Sequence, residues 1–148
     1  MTDKTIDYIL RTTWLSVQKM YNEEASKFES TMATGFTLLS IDRENGSPST
    51  ALGPKMGMEA TSLSRILKTM EQKGLIERRP NPEDGRGVII HLTAYGHAQR
   101  AYSKDRVLTF NEAIKKNISE EKLKSFYEVA DLINDLISNK KIYDQNDK

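Results

Sequence analysis

Between Thr50 and Leu92 the chain sets two helix-sized segments and two strand-sized segments around backbone breakers that leave little choice of fold. Thr50 supplies an N-cap for a short helix over Ala51–Met56, and Gly57 makes a turn. A second helix runs from Glu59 to Lys73 and stops at Gly74. Two helices joined by a short glycine-containing turn form a helix-turn-helix. Leu75 to Arg79 and the β-branched run Val88 to Leu92 read as strands. The octet between them, Pro80 to Gly87, is rich in turn formers and is barred from a central strand. A β-hairpin with an extended tip therefore follows directly on the second helix.

Long helices flank this block. Ile6, Ile9, Leu10, Val17, Met20, Tyr21 and Phe28 fall near a 3.6-residue period, which predicts one amphipathic helix over residues 4–29. Thr34 to Asn45 reads as a helix stopped by Gly46, and Ser47-Pro48-Ser49 as a short extended link. Thr93 caps a long helix over roughly Ala94 to Lys116, and Ser119 caps a last one to about Ser138; residues 139–148 form a polar tail. The expected fold class is mainly α with a small β-hairpin. The helix-turn-helix and hairpin occupy residues 34–92 of a single domain. The helices at 4–29 and 94–138 carry more apolar surface than so small a core covers, and this excess predicts a homodimer built on them.

Composition excludes several classes of function. The chain of 148 residues has no cysteine, which removes disulfides, thiol nucleophiles and sulfur-ligated zinc. His91 and His97 are the two histidines, and neither a metal site nor a cofactor is expected. No apolar run approaches a membrane span and no signal peptide is visible, so the expected compartment is the cytoplasm. No paired carboxylates, Ser-His-Asp set or phosphate loop stands at a convincing place, so no enzyme is expected. The net charge is only +1, yet lysine and arginine are in excess through the middle of the chain and acids slightly in excess at both ends.

At about 100° per residue, Leu63, Ile66, Leu67 and Met70 fall on one side of the Glu59–Lys73 helix. The opposite side carries Thr61, Ser64, Arg65, Lys68, Thr69 and Gln72, with no acid among them. Such a face reads base edges and grips phosphates, and Thr61 and Ser62 at its N-terminal end enter a major groove deepest. In the hairpin, Arg86 between two glycines suits a narrow minor groove, and Arg78 and Arg79 at the base suit phosphates. One competing reading is a plain solvated face; another is a module for protein–protein contact without DNA. The second calls for an apolar or acidic face, whereas this one is polar and cationic.

The runs Leu63-Ser64-Arg65-Ile66-Leu67 and Met70 to Arg78 resemble the recognition helix and first wing strand of MarR-type winged helix-turn-helix regulators. Asp84-Gly85-Arg86, followed by Leu92-Thr93 and Gly96, resembles that family's wing signature. The resemblance implies a dimer with interleaved N- and C-terminal helices, Arg86 inserted in the minor groove and Asp84 orienting it. It also implies transcriptional regulation, by default repression, and a small-molecule site between the dimer helices and the winged part. Two departures stand out: Glu59 occupies a position usually held by a better N-cap, and Gly85 and Gly87 replace bulkier neighbours of the arginine. For the small-molecule site, Trp14, Val17, Met20, Tyr21 and Phe36 are the expected apolar lining. Arg11 is the expected partner of a carboxylate, so a lipophilic or aromatic acid is the expected effector.

Overall fold

The computed structural model describes residues 4–85 and 87–143. The order of elements is α1 (Ile6–Ser26), α2 (Met32–Ser40), β1 (Ser47–Pro48), α3 (Ser49–Met56), α4 (Ala60–Gln72), β2 (Ile76–Pro80), β3 (Val88–Leu92), α5 (Ala94–Asn117) and α6 (Glu120–Ser138). Among the described residues, one compact unit runs up to Arg106 and a second begins at Val107.

In the first unit three antiparallel strands lie in the order β1-β3-β2. Ile76 stands opposite Leu92, Arg78 opposite Ile90 and Pro80 opposite Val88. Pro80, which cannot donate to a ladder, falls on the edge strand β2. The core comes from α2, α3, α4, β2, β3 and the turns beside them: Leu38, Ile41, Leu52, Leu63, Leu67, Met70, Leu75, Ile76, Ile90 and Leu92 are all buried. Met70 and Ile90 are wholly enclosed, so α4 is clamped between the sheet and the two short helices.

The hairpin and the last helix fall where the sequence predicts them, while the region before α3 differs. The second helix starts at Met32 rather than Thr34, because the Thr31 hydroxyl caps it by accepting from the Thr34 amide at 3.2 Å. It ends at Ser40 rather than Asn45. Ile41 turns extended with its side chain sealed in the core, and the Asp42 carboxylate accepts the Glu44 and Asn45 amides at 2.9 and 2.8 Å. Those two bonds reward a turn over another turn of helix, and they hold the Asp42 carboxyl below its ordinary pKa.

Gly46 is thus not a helix stop. It sits at φ 70°, and a Cβ there would lie 2.7 Å from the Ile90 carbonyl oxygen and 2.8 Å from the His91 ring. That close approach lets Ser47 and Pro48 pair with Ile90 and Ile89, so the expected extended link is a short third strand. The following helix begins at Ser49 without a side-chain cap, not after Thr50.

No residue of α1 is buried, and Ile6, Leu10, Trp14 and Leu15 are exposed along it. In the second unit α6, capped by Ser119, likewise buries none of its residues. Phe126, Val129, Leu132 and Ile137 are all more than half exposed.

Candidate nucleic-acid interface and the neighbouring cavity

The recognition face is set by how α4 is buried. Leu63, Leu67 and Met70 point into the core, which leaves Thr61, Ser62, Ser64, Arg65, Lys68, Thr69 and Gln72 exposed. Among the described residues, neither Arg65 nor Lys68 takes part in an ion pair. Thr69 donates its hydroxyl to the Arg65 carbonyl at 3.1 Å, so the oxygen keeps its acceptor capacity toward a base or water. Glu59 stands at the N-cap and makes no capping bond, leaving the first amides of α4 open to another acceptor.

The C-terminal end of α4 is fixed by residues of the wing signature. The Thr93 hydroxyl accepts the Gly96 amide at 3.0 Å, which caps α5, and donates to the Gly74 carbonyl at 2.6 Å. The Thr93 amide bonds the Leu75 carbonyl at 3.1 Å. A Cβ on buried Gly96 would fall 1.9 Å from that carbonyl oxygen, so only glycine lets α5 leave the sheet at this point. The Leu-Thr-x-x-Gly pattern thus has a structural role: it locks the end of α4 to the start of α5.

The wing is organised by Asn81, which sequence reasoning missed. The Asn81 amide bonds the Gly87 carbonyl at 3.0 Å, its carbonyl accepts the Asp84 amide at 3.3 Å, and its side chain accepts the Glu83 amide at 3.0 Å. The visible signal was an Asn-Pro dipeptide opening a glycine-rich loop. Asp84 takes part in this tip, and its carbonyl accepts the Gly87 amide at 2.9 Å. The expected minor-groove residue, Arg86, lies outside the described residues.

The other two expected phosphate contacts are held by acids. Arg78 pairs with Glu71 at 3.3 Å, and Arg79 with Glu77. All four side chains are about a third or more exposed, so these pairs are weak and open to exchange for phosphate. Ser49 and Thr50, absent from the expected set, line one open cleft with Ser64 and Arg78.

A second feature lies behind α4. A cavity of about 60 Å³ is bounded by α1, α2, the end of α4 and the first part of α5. Its walls are aromatic. The Tyr21 and Phe36 rings meet edge-on at 5.6 Å, and Phe28 lies 4.0 Å from Tyr102. Burial pushes the Tyr21 hydroxyl up from its ordinary pKa.

Of the six residues expected at a ligand site, the structure brings Tyr21 and Phe36 to this cavity. Val17 and Met20 are half-buried off its lining, Trp14 is exposed, and Arg11 stacks on Tyr8 at 5.8 Å. The cavity's arginine is instead Arg106, which lies over Tyr102 at 5.6 Å and pairs with Asp105 at 2.5 Å. Tyr95 and Tyr102 were legible only as apolar positions of α5; the meeting of Tyr102 with Phe28 is a long-range event.

A helix-turn-helix whose second helix bears an acid-free face, followed by a hairpin, a third strand and a glycine-locked exit helix, defines a winged helix-turn-helix protein. Residues 31–88 match the model of the MarR family, and the surrounding fold is that of solved MarR-family structures. Over that stretch the chain is similar to the MarR family. It is 30% identical over 88 residues to the uncharacterized HTH-type transcriptional regulator YdgJ of Bacillus subtilis, a match covering 60% of this chain. In that match the chain spans about half, 54%, of the relative's length. Its fold is similar to that of Staphylococcus aureus MepR in a DNA complex, with a TM-score of 0.80, 22% identity, and 92% and 99% of the two chains covered. It is also similar to the PcaV regulator of Streptomyces coelicolor solved with its natural ligand, with a TM-score of 0.76, 17% identity, and 89% and 93% covered. At these identities the likeness is one of fold. Among the described residues, no helix is long and apolar enough to cross a membrane, and no group of three or more acids and histidines gathers as a metal site.

Proposed function

We infer that this protein is a sequence-specific, double-stranded DNA-binding transcriptional regulator. It acts as a homodimer in the cytoplasm, and by default it represses by occupying its operator. The observation that carries this reading is the face of α4, where Arg65 and Lys68 stand exposed and free of acidic partners among hydroxyl and amide side chains. A face kept only for solubility would not exclude acids along its whole length. MepR was solved as a DNA complex, and the likeness of fold supports the same docking here.

On this reading residues 34–92 bind DNA, and α1, α5 and α6 join two copies. Ser64 and Arg65 meet base edges; Lys68, Arg78 and Arg79 meet phosphates once the two arginines exchange their carboxylates; Arg86 of the wing enters the minor groove. The aromatic cavity takes a small lipophilic or aromatic acid, whose carboxylate is met by Arg106 rather than Arg11. PcaV, solved with its natural ligand, supports an effector role in a protein of this fold. Release follows if the acid binds the DNA-incompetent arrangement more tightly than the competent one.

Titration of a fluorescent duplex at several salt concentrations tests the DNA-binding claim. Lys68→Ala is expected to weaken specific and non-specific binding alike and to lower the salt slope by about one. A duplex affinity indifferent to Lys68→Ala and to Arg65→Ala would remove α4 from the interface.

A further inference from the structure

We propose that Lys73 is a coupling latch that ties the wall of the aromatic cavity to the end of the recognition helix. The inference rests on the regulatory reading of that cavity and adds the route by which its occupancy reaches α4. Lys73 is the C-cap residue of α4, and its amide closes the helix on the Thr69 carbonyl at 3.0 Å. Its ammonium crosses to the turn between α1 and α2 and donates to the Glu29 carbonyl at 3.0 Å, a bond between residues 44 apart in sequence.

The accepting turn is under tension. Glu29 sits at φ 55°, a left-handed conformation that is costly for a side chain larger than glycine. The turn is held by the Ser30 amide on the Ala25 carbonyl at 3.0 Å. Both ends of the latch face the cavity, whose lining includes Phe28, Glu29, Lys73 and Leu75. Beyond Lys73 the chain is anchored, since Gly74 and Leu75 give their carbonyls to Thr93.

These observations define two arrangements. With the cavity empty, the strained turn is pinned by Lys73, and α4 is braced at its C-terminal end. A molecule wedged beside Phe28 pushes the turn outward, relaxes Glu29 and breaks the bond, so the C-terminal end of α4 loses that brace. Lys73 acts here as a positioning residue, through Glu29, and makes no contact with DNA. A bond shared by both sites supplies the differential contact that coupling requires.

The test has an arm that needs no DNA and an arm that needs no identified effector. In the first, amide hydrogen exchange is compared between the full-length wild type and Lys73→Met, which keeps the stem and deletes the ammonium. Faster exchange is expected together at Ser30 and at Gly74–Leu75, and Lys73→Arg is expected to restore protection at both; acceleration at one end alone overturns the latch. In the second, Ser103→Leu grows a side chain into the cavity as a tethered occupant. It is expected to weaken duplex binding about tenfold in the wild-type background and less than twofold in the Lys73→Met background, a non-additivity reserved for coupled sites. Ala25→Leu, entering from α1, serves the same purpose where Ser103→Leu does not fold. Equal weakening in both backgrounds overturns the latch and leaves the regulatory cavity standing. No weakening in either background overturns the regulatory reading, and the latch with it.

Discussion

The winged part and the long helices of this chain obey opposite rules of burial. From α2 to β3 the apolar side chains close over one another, with Leu52, Met70 and Ile90 wholly enclosed. Along α1 and α6 no residue is buried, although both helices carry large apolar side chains along their length. The winged part thus completes its own core within one chain, whereas the flanking helices present exposed apolar faces, which a second copy covers in the proposed dimer. Exposed apolar surface on this scale marks an interface.

Two substitutions in the closed region are expected to have the largest effects. Gly96→Ala forces a methyl group into the Leu75 carbonyl, 1.9 Å away, and neither backbone can yield without unlocking α4 from α5. A loss of at least ~3 kcal/mol is expected, beyond ordinary overpacking, read as the midpoint shift in urea. Met70→Ala, at a wholly buried position, is expected to cost about 2–5 kcal/mol in the same measurement. A mild effect of either would mean that the winged part is less tightly closed than its burial implies.

The open region is tested by association rather than by folding. Phe126→Glu and Leu132→Glu place charges on α6 positions that are 58% and 60% exposed in the single chain. Each is expected to weaken the dimer by roughly tenfold or more, about 1.4 kcal/mol, in sedimentation at micromolar concentration. A wild type that sediments as a monomer there would break the comparison at its root.

On the outer surface of the closed region, at the proposed DNA face of α4, Arg65→Ala is expected to cost about 1–3 kcal/mol of specific affinity without altering stability. The smallest effect belongs to the α2–β1 turn. The Asn45 and Glu44 amides hold the Asp42 carboxylate below its ordinary value, so its contribution is present above that value and lost as pH falls through the lowered one. The protection factors of the Glu44 and Asn45 amides, relative to intrinsic exchange at each pH, are expected to fall on acidification below about pH 4 in the wild type, and to be low already at neutral pH in Asp42→Ala.

What was legible in the sequence follows the same division. The burial of α4 could be read from Leu63, Leu67 and Met70 because a helix surrounded by core shows its periodicity directly. The hairpin was legible from Pro80 to Gly87 and the β-branched run after it, and Thr93 and Ser119 act as caps as their types predict. The third strand was hidden, because two residues carry no pattern and its pairing depends on the fit of Gly46 against Ile90 and His91. The lining of the cavity was legible only in part, for a related reason. Trp14, Val17 and Met20 share a stripe with Tyr21, but which end of the stripe meets α5 is decided by long-range packing of Phe28 on Tyr102. Arg106 was passed over because nothing local distinguishes it from a solvated arginine.

The central claim is that two copies of the acid-free α4 face are held by the long helices so that they read two half-sites at once. Selection of bound duplexes from a random-sequence library, followed by sequencing, tests this most directly. The account predicts enrichment of a pseudo-palindrome whose half-sites lie about one helical turn apart, roughly 10 base pairs centre to centre. It also predicts that Phe126→Glu abolishes the two-fold repeat and that Arg65→Ala changes the preferred bases within each half. No enrichment, or enrichment of a single unrepeated element unaffected by Arg65→Ala, would contradict it.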